Sequence, residues 1–105
     1  LRVAAARALG ALRAAPRVAE LCGALRDPEW PVRAQAARSL GRLGESQAIG
    51  ALGARLEDRA WWVRHHAAYA LAGLGAPGRA ELERIRGASA DRYAREMAEE
   101  ALRAG

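Results

Sequence analysis

Two stretches decide the fold: DPEWPVRAQAARSLGRLG, residues 27–44, and DRAWWVRHHAAYALAGLG, residues 58–75. They begin 31 residues apart, and their Asp, Val-Arg, Ala-Ala, Leu and Leu-Gly positions coincide. The same offset carried outward finds further copies. Leu1-Arg2 and Ala94-Arg95 flank Val32-Arg33 and Val63-Arg64, Ala5 and Ala98 flank Ala36 and Ala67, and Leu9 and Leu102 flank Leu40 and Leu71. A second segment repeats as well, Val18, Leu21 and Leu25 becoming Ile49, Leu52 and Leu56. Agreement at so many spaced positions is not a chance event, so the chain is built from a repeating unit.

Each unit reads as two short helices. Val63, Ala67, Ala70, Leu71 and Leu74 recur at intervals of three and four and share one helix face. Gly75, Pro77 and Gly78 then act as stop signals. The second helix is expected roughly over 18–25, 49–56 and 79–86, with Leu82 and Ile85 about one residue out of register. Asp27-Pro28 and Asp58 mark the turns between units, where Asp serves a turn or an N-cap. A single hairpin cannot cover its own apolar face, so neighbouring hairpins must stack on it. Composition agrees: 28 alanines, no Phe and no Thr suit closely approaching helices and disfavour strands.

The net charge of +5 invites a nucleic-acid reading. All 17 basic residues are Arg, however, and a Lys-free, Ala/Arg/Gly-rich chain is what the coding sequence of a high-GC bacterial genome produces without any binding role. The single cysteine, Cys22, excludes an internal disulfide and a Cys-based metal site. It leaves the compartment open, with the cytoplasm favoured. The longest stretch free of charged residues, 65–78, is too short to span a bilayer, and no signal peptide is visible.

The pattern Asp-x-x-x-x-Val-Arg-x-x-Ala-Ala-x-x-Leu-x-x-Leu-Gly, with partial copies at Leu1 to Leu12 and Ala94 to Gly105, resembles the HEAT repeat superfamily. It is most similar to the short HEAT-like units of the phycobilisome-lyase type, since its period is below the ~40–47 residues of longer HEAT and armadillo units. The resemblance implies an all-α fold, an α-α superhelix or HEAT-like solenoid of about three and a half helical-hairpin repeats. It implies one domain over 1–105, with repeats near 1–26, 27–57 and 58–88 and a C-terminal capping helix at 89–105. It also implies a structural ladder of turn Asp and helix Arg, carried here by Asp27, Arg33, Asp58 and Arg64, with Ser89 standing in the last Asp place. Glu99 replaces Ala6, Ala37 and Ala68, as expected of a cap, so the chain reads as the C-terminal part of a longer array. Val3, Ala6 and Leu9 then form a candidate self-stacking face.

A second stripe on the first helix of the third unit holds Trp62, His65, His66 and Tyr69, with Trp61 in the turn before it. It lies roughly 100–120° from the core stripe. One unit back, the same places hold Trp30, Pro31, Ala34, Gln35 and Arg38, with Arg42 beyond. One unit forward they hold Arg92, Tyr93, Glu96, Met97 and Glu100. In the repeat arrays that this chain resembles, such places line the concave face and contact partners. Trp, Tyr and Arg dominate interface energetics, which makes Trp30, Arg38, Trp61, Trp62, His65, His66, Tyr69 and Tyr93 the candidate partner-binding residues. Trp30 and Trp61, at one repeat position, have two readings: rings buried as plugs of the inter-unit turns, or contact residues.

Catalytic constellations are not expected. His65 and His66 diverge by about 100° around a helix, and no third ligand stands at metal spacing. Cys22 aligns with Gly53 and reads as a packed thiol with no His to activate it. Glu81, Glu83, Glu99 and Glu100 read as solvated faces, and each Gly cluster follows a helix end rather than a strand, unlike a phosphate loop. The expected function is a non-catalytic protein- or peptide-binding scaffold with a concave aromatic surface, no cofactor, no metal and no membrane insertion within the segment. The alternative is nucleic-acid backbone binding, with Arg38, Arg42 and Arg92 contacting phosphate and Trp30, Trp62 and Tyr93 stacking on bases. Glu96 and Glu100 on the same face oppose it. Bilin attachment is implied by the family resemblance alone.

Overall fold

The computed structural model describes residues 15–104, with side chains from Arg17 onward. The face formed by Val3, Ala6 and Leu9 lies outside the described residues. Helix α1 spans Ala15–Ala24 and α2 spans Trp30–Leu43. A 3-10 turn, Ser46–Ala48, leads into α3, Ile49–Ala54, which closes in a second 3-10 turn, Arg55–Glu57. Then come α4, Trp61–Gly73, α5, Ala76–Ala88, and α6, Arg92–Ala104. The chain is an all-α solenoid, and the described residues contain no strand. Helices α2, α4 and α6 lie side by side in one layer, and α4 packs against both of its neighbours there. Helices α1, α3 and α5 form the layer behind.

Local chemistry sets the ends. Gly44 adopts a left-handed φ of 70° and its N–H bonds the Leu40 carbonyl, which closes α2. Pro77 and Gly78, expected to be stop signals, belong instead to the first turn of α5, which therefore starts at Ala76 and is longer than the expected 79–86. A proline is tolerated there because no hydrogen bond is asked of its nitrogen. Asp27 and Asp58 settle into turns: each Oδ1 accepts the N–H two residues on, from Glu29 and Ala60, at 2.9 Å. Asp91, not singled out by the repeat pattern, caps α6 by accepting the N–H groups of Tyr93 and Ala94 at 2.8 and 3.1 Å.

The core runs between the two layers. Leu21, Leu25, Leu40, Leu52, Leu56, Leu71 and Leu82 are fully enclosed, each worth roughly 2 kcal/mol in apolar area removed from water. Alanines fill the helix-to-helix contacts between them. Where α2 crosses α4, a Cβ added to Gly41 would sit 2.9 Å from the Cβ of Ala70, so the two helices meet almost backbone to backbone. Ala37 and Ala68 are enclosed, whereas their counterpart Glu99 is exposed and pairs with Arg103 at 3.5 Å.

Charge ties one hairpin to the next. Arg33 donates Nε and Nη2 to the two carboxylate oxygens of Asp58 at 2.8 and 3.0 Å, and Nη1 to the Asp27 carbonyl at 2.8 Å. The Asp58 side chain is 4% exposed and that of Arg33 14%. Burial alone would raise the Asp58 carboxyl. The hydrogen bonds from Arg33 and from the Ala60 N–H, with the charges of Arg33 and Arg55, outweigh it and hold the group below its ordinary value.

Candidate interaction surface

The outer side of the α2–α4–α6 layer gathers residues that hold equivalent repeat positions. Trp30, Trp61 and Arg92 form one row across the three helices, Pro31, Trp62 and Tyr93 the next, then Gln35 and His66, whose counterpart Met97 turns into the core instead, and Arg38, Tyr69 and Glu100 a fourth. A translation of one repeat therefore turns helix-surface positions into lines running across the layer.

On α4 the rings touch continuously. Trp61 stacks on His65 at 4.8 Å between centroids, and His65 meets Tyr69 at 4.5 Å. Beside this column Trp62 stacks over His66 at 5.8 Å and meets Trp61 edge-on at 4.8 Å. Helical spacing explains both columns, because residues four apart stand one above the other. The exposed end of the cluster is the pair of tryptophans, while His65, His66 and Tyr69 are half-buried behind them.

Trp30, Trp61, Trp62 and Tyr93 are 46, 45, 51 and 55% exposed. The two rings that also had a reading as buried turn plugs, Trp30 and Trp61, thus face solvent. A shallow depression between them is lined by Glu29, Trp30, Arg33, Arg59, Trp61 and Trp62. Four large aromatic side chains left in water on one edge of a small chain form a contact-prone patch.

The flanks carry opposite charge. On the α2 side Arg38 and Arg42 are exposed and make no ion pair among the described residues. They line a groove with Gly41, His66, Tyr69 and Gly73. On the α6 side, Tyr69 donates its hydroxyl to Glu100 at 3.0 Å, and Glu96 lies 3.5 Å from Arg92. Arg64 and Arg92 both sit over the Tyr93 ring, at 5.3 and 5.1 Å. Burial, then the charges of His65 and Arg38, lower the His66 imidazole below its ordinary value. Burial and the Glu100 carboxylate raise the Tyr69 hydroxyl.

Other candidates stand apart from this surface. A cleft of about 770 Å³ lies at the inter-hairpin turns and includes Arg26, Asp27, Arg55, Asp58, Arg59 and Ser89, so carboxylates interleave with its arginines. Cys22 lies on α1 in the other layer, and burial raises its thiol. Among the described residues no group of His, Cys, Asp and Glu is placed to hold a metal ion, and no helix is long and apolar enough to cross a membrane.

A stack of two-helix units with an open face of aromatic and charged side chains is a helical-repeat protein. Comparison with known proteins identifies which kind. The family model for HEAT repeats matches residues 18–103, and the PBS lyase HEAT-like repeat matches residues 1–29. The chain belongs to the HEAT repeat family, with units of the HEAT-like type. It is also similar to a chain in the solved complex of CpcE and CpcF of phycocyanin lyase from Nostoc sp. PCC7120. The two are 28% identical with a TM-score of 0.67, over 98% of this chain and 48% of that one, so this chain spans about half the length of its structural relative. No curated protein matches it significantly in sequence.

Proposed function

We propose that this chain is a non-catalytic protein- or peptide-binding scaffold that engages its partner through the outer face of α2, α4 and α6. The observation that carries the reading is the continuous aromatic cluster on α4, flanked by Trp30 and Tyr93, where the other large apolar side chains among the described residues are buried or half-buried. Solvent-facing tryptophans expose apolar surface whose removal from water by a partner is favourable, and Trp, Tyr and Arg are the residues from which interface hot spots are made. The contact set is Trp30, Arg38, Trp61, Trp62, His65, His66, Tyr69 and Tyr93. Asp27, Arg33, Asp58 and Arg64 belong to the frame that holds the hairpins in register. The similarity to a chain in the solved complex of CpcE and CpcF supports a protein partner.

The same similarity suggests a lyase-associated role, against which stands the placement of the chain's nucleophile and imidazoles. Cys22 and the two histidines lie in different layers. The test is capture from nuclease-treated cell lysate on immobilised chain, comparing wild type with a Trp62→Ala/Tyr69→Ala variant of equal helicity by circular dichroism. A protein retained by the wild type and lost by the variant is the expected result. Equal retention by both refutes the aromatic surface. Retention only of nucleic acid, and only without nuclease, would transfer the function to the arginines.

A further inference from the structure

The face is bipolar, and its polarity specifies the chemistry of what it binds. Residues 38, 69 and 100 hold one repeat position on α2, α4 and α6, and they are Arg, Tyr and Glu. Around that row, α2 contributes Arg38 and Arg42 with no carboxylate to pair with among the described residues. The face of α4 is aromatic, and that of α6 bears Glu100, which accepts the Tyr69 hydroxyl, and Glu96, which is paired with Arg92 at 3.5 Å. Arg38 and Arg42 stand one helical turn apart, and like charges at that spacing destabilise a helix unless something neutralises them. Between them and α4 runs the groove floored by Gly41 and Gly73 and walled by His66 and Tyr69. A Cβ at Gly73 would meet nothing within 4 Å, so the groove is open to an incoming side chain.

Resting on the scaffold reading above, we infer that the α2–α4 groove seats the carboxylates of an acidic peptide segment, whose adjoining apolar residues lie on Trp62 and His66. Guanidinium groups bind carboxylates through paired hydrogen bonds, and two of them flanking an open groove would take one acidic side chain or two in succession. A polyanion fits worse. A phosphate backbone extended along the row would leave the arginines after one helix and meet Glu96 and Glu100, Glu100 being already engaged by Tyr69 at 3.0 Å. The occupant is thus acidic at the α2 end, apolar in the middle and neutral or basic at the α6 end.

The test uses a fluorescently labelled peptide with two glutamates, then Leu-Phe, then two lysines, titrated with the intact chain and followed by anisotropy. A Glu→Gln version of the peptide is expected to bind about tenfold more weakly. An Arg38→Ala/Arg42→Ala variant is expected to bind both peptides alike, and Arg38→Glu to prefer a lysine-for-glutamate version. The inference is overturned if the Gln peptide binds equally well, if the labelled peptide fails to bind, or if single-stranded oligodeoxythymidine displaces it in an Arg38- and Arg42-dependent way. Equal binding of both peptides that is lost in Trp62→Ala would overturn the acidic specificity alone and leave the aromatic scaffold standing. An unchanged lysate capture by Trp62→Ala/Tyr69→Ala would remove the aromatic surface on which the scaffold reading rests.

Discussion

Arg33 and Arg64 occupy the same place in successive hairpins, yet only Arg33 closes its guanidinium on a carboxylate, that of Asp58 at 2.8 and 3.0 Å. Both donate Nη1 to the carbonyl six residues upstream, Asp27 for Arg33 and Asp58 for Arg64, and Arg95 repeats that bond to Ser89. Where the next repeat should offer Arg64 an Asp, it offers Ser89, whose hydroxyl donates instead to Glu57 at 3.1 Å. The buried Nε of Arg64 is left without a partner. The last junction therefore relies on packing, on the hydrogen bonds from Ser89 to Glu57 and from Tyr69 to Glu100 and on the stacking of Arg64 over Tyr93, where the junction before it has a buried two-point ion pair.

Removing Asp58 should hurt more than an average surface change. Asp58→Ala strands Arg33 and is expected to lower unfolding free energy by about 3 kcal/mol, read by chemical denaturation. In the wild type the carboxyl is held below its ordinary 3.8. Its contribution is thus present above that value and lost as pH falls through and below it. A variant as stable as wild type at pH 7 would show that the ion pair adds nothing.

Supplying the missing carboxylate should repair the last junction. Ser89→Asp, combined with Glu57→Gln to remove the competing charge, is expected to raise stability by about 1–2 kcal/mol, seen as a higher denaturation midpoint. The same double change in an Arg64→Ala background should give no gain. A gain there would show that Arg64 is not the beneficiary.

Gly78 has a steric role that its exposed neighbours lack. A side chain there would overlap the carbonyl oxygen of Leu71 at the end of α4, whereas a Cβ at Gly87 would meet nothing. Gly78→Ala is expected to destabilise by about 3 kcal/mol or more. Gly87→Ala should instead stabilise by roughly 0.5 kcal/mol through helix propensity. Equal thermal midpoints for the two would contradict this close approach of α4 and α5.

His66 reports on the surface directly. Its imidazole is lowered by burial, by His65 and by Arg38, so the folded chain holds that proton less tightly than the unfolded one. The associated stability is present above the ordinary 6.5 and is lost as pH falls below it. Imidazole resonances followed by NMR should show His66 titrating below that value, and Arg38→Ala should move it part of the way back. Titration at or above the ordinary value would mean that the ring is not enclosed as described.

Much of this architecture can be read directly from spacing. The repeat of residues 27–44 at 58–75 is enough to establish stacked helical hairpins, because three- and four-residue intervals place Val63, Ala67 and Leu71 on one face whatever surrounds them. The same arithmetic puts Trp62, His66 and Tyr69 on a different side of α4 from the core. Boundaries were less legible: Pro77 reads as a stop but opens α5, since a proline suits a first turn as well as a break.

Only the tertiary structure decided which residues of different hairpins meet. Spacing gives the direction of a side chain about its own helix axis. The distance and angle between neighbouring helices determine what that side chain reaches, and these depend on how closely Gly41 and Ala70 allow α2 and α4 to approach. Tyr69 finds Glu100 on α6, Arg33 reaches past its own Asp27 side chain to Asp58, and the Trp30 and Trp61 rings stay in solvent instead of filling the turns. Those outcomes follow from packing across hairpins, which a one-dimensional pattern does not contain.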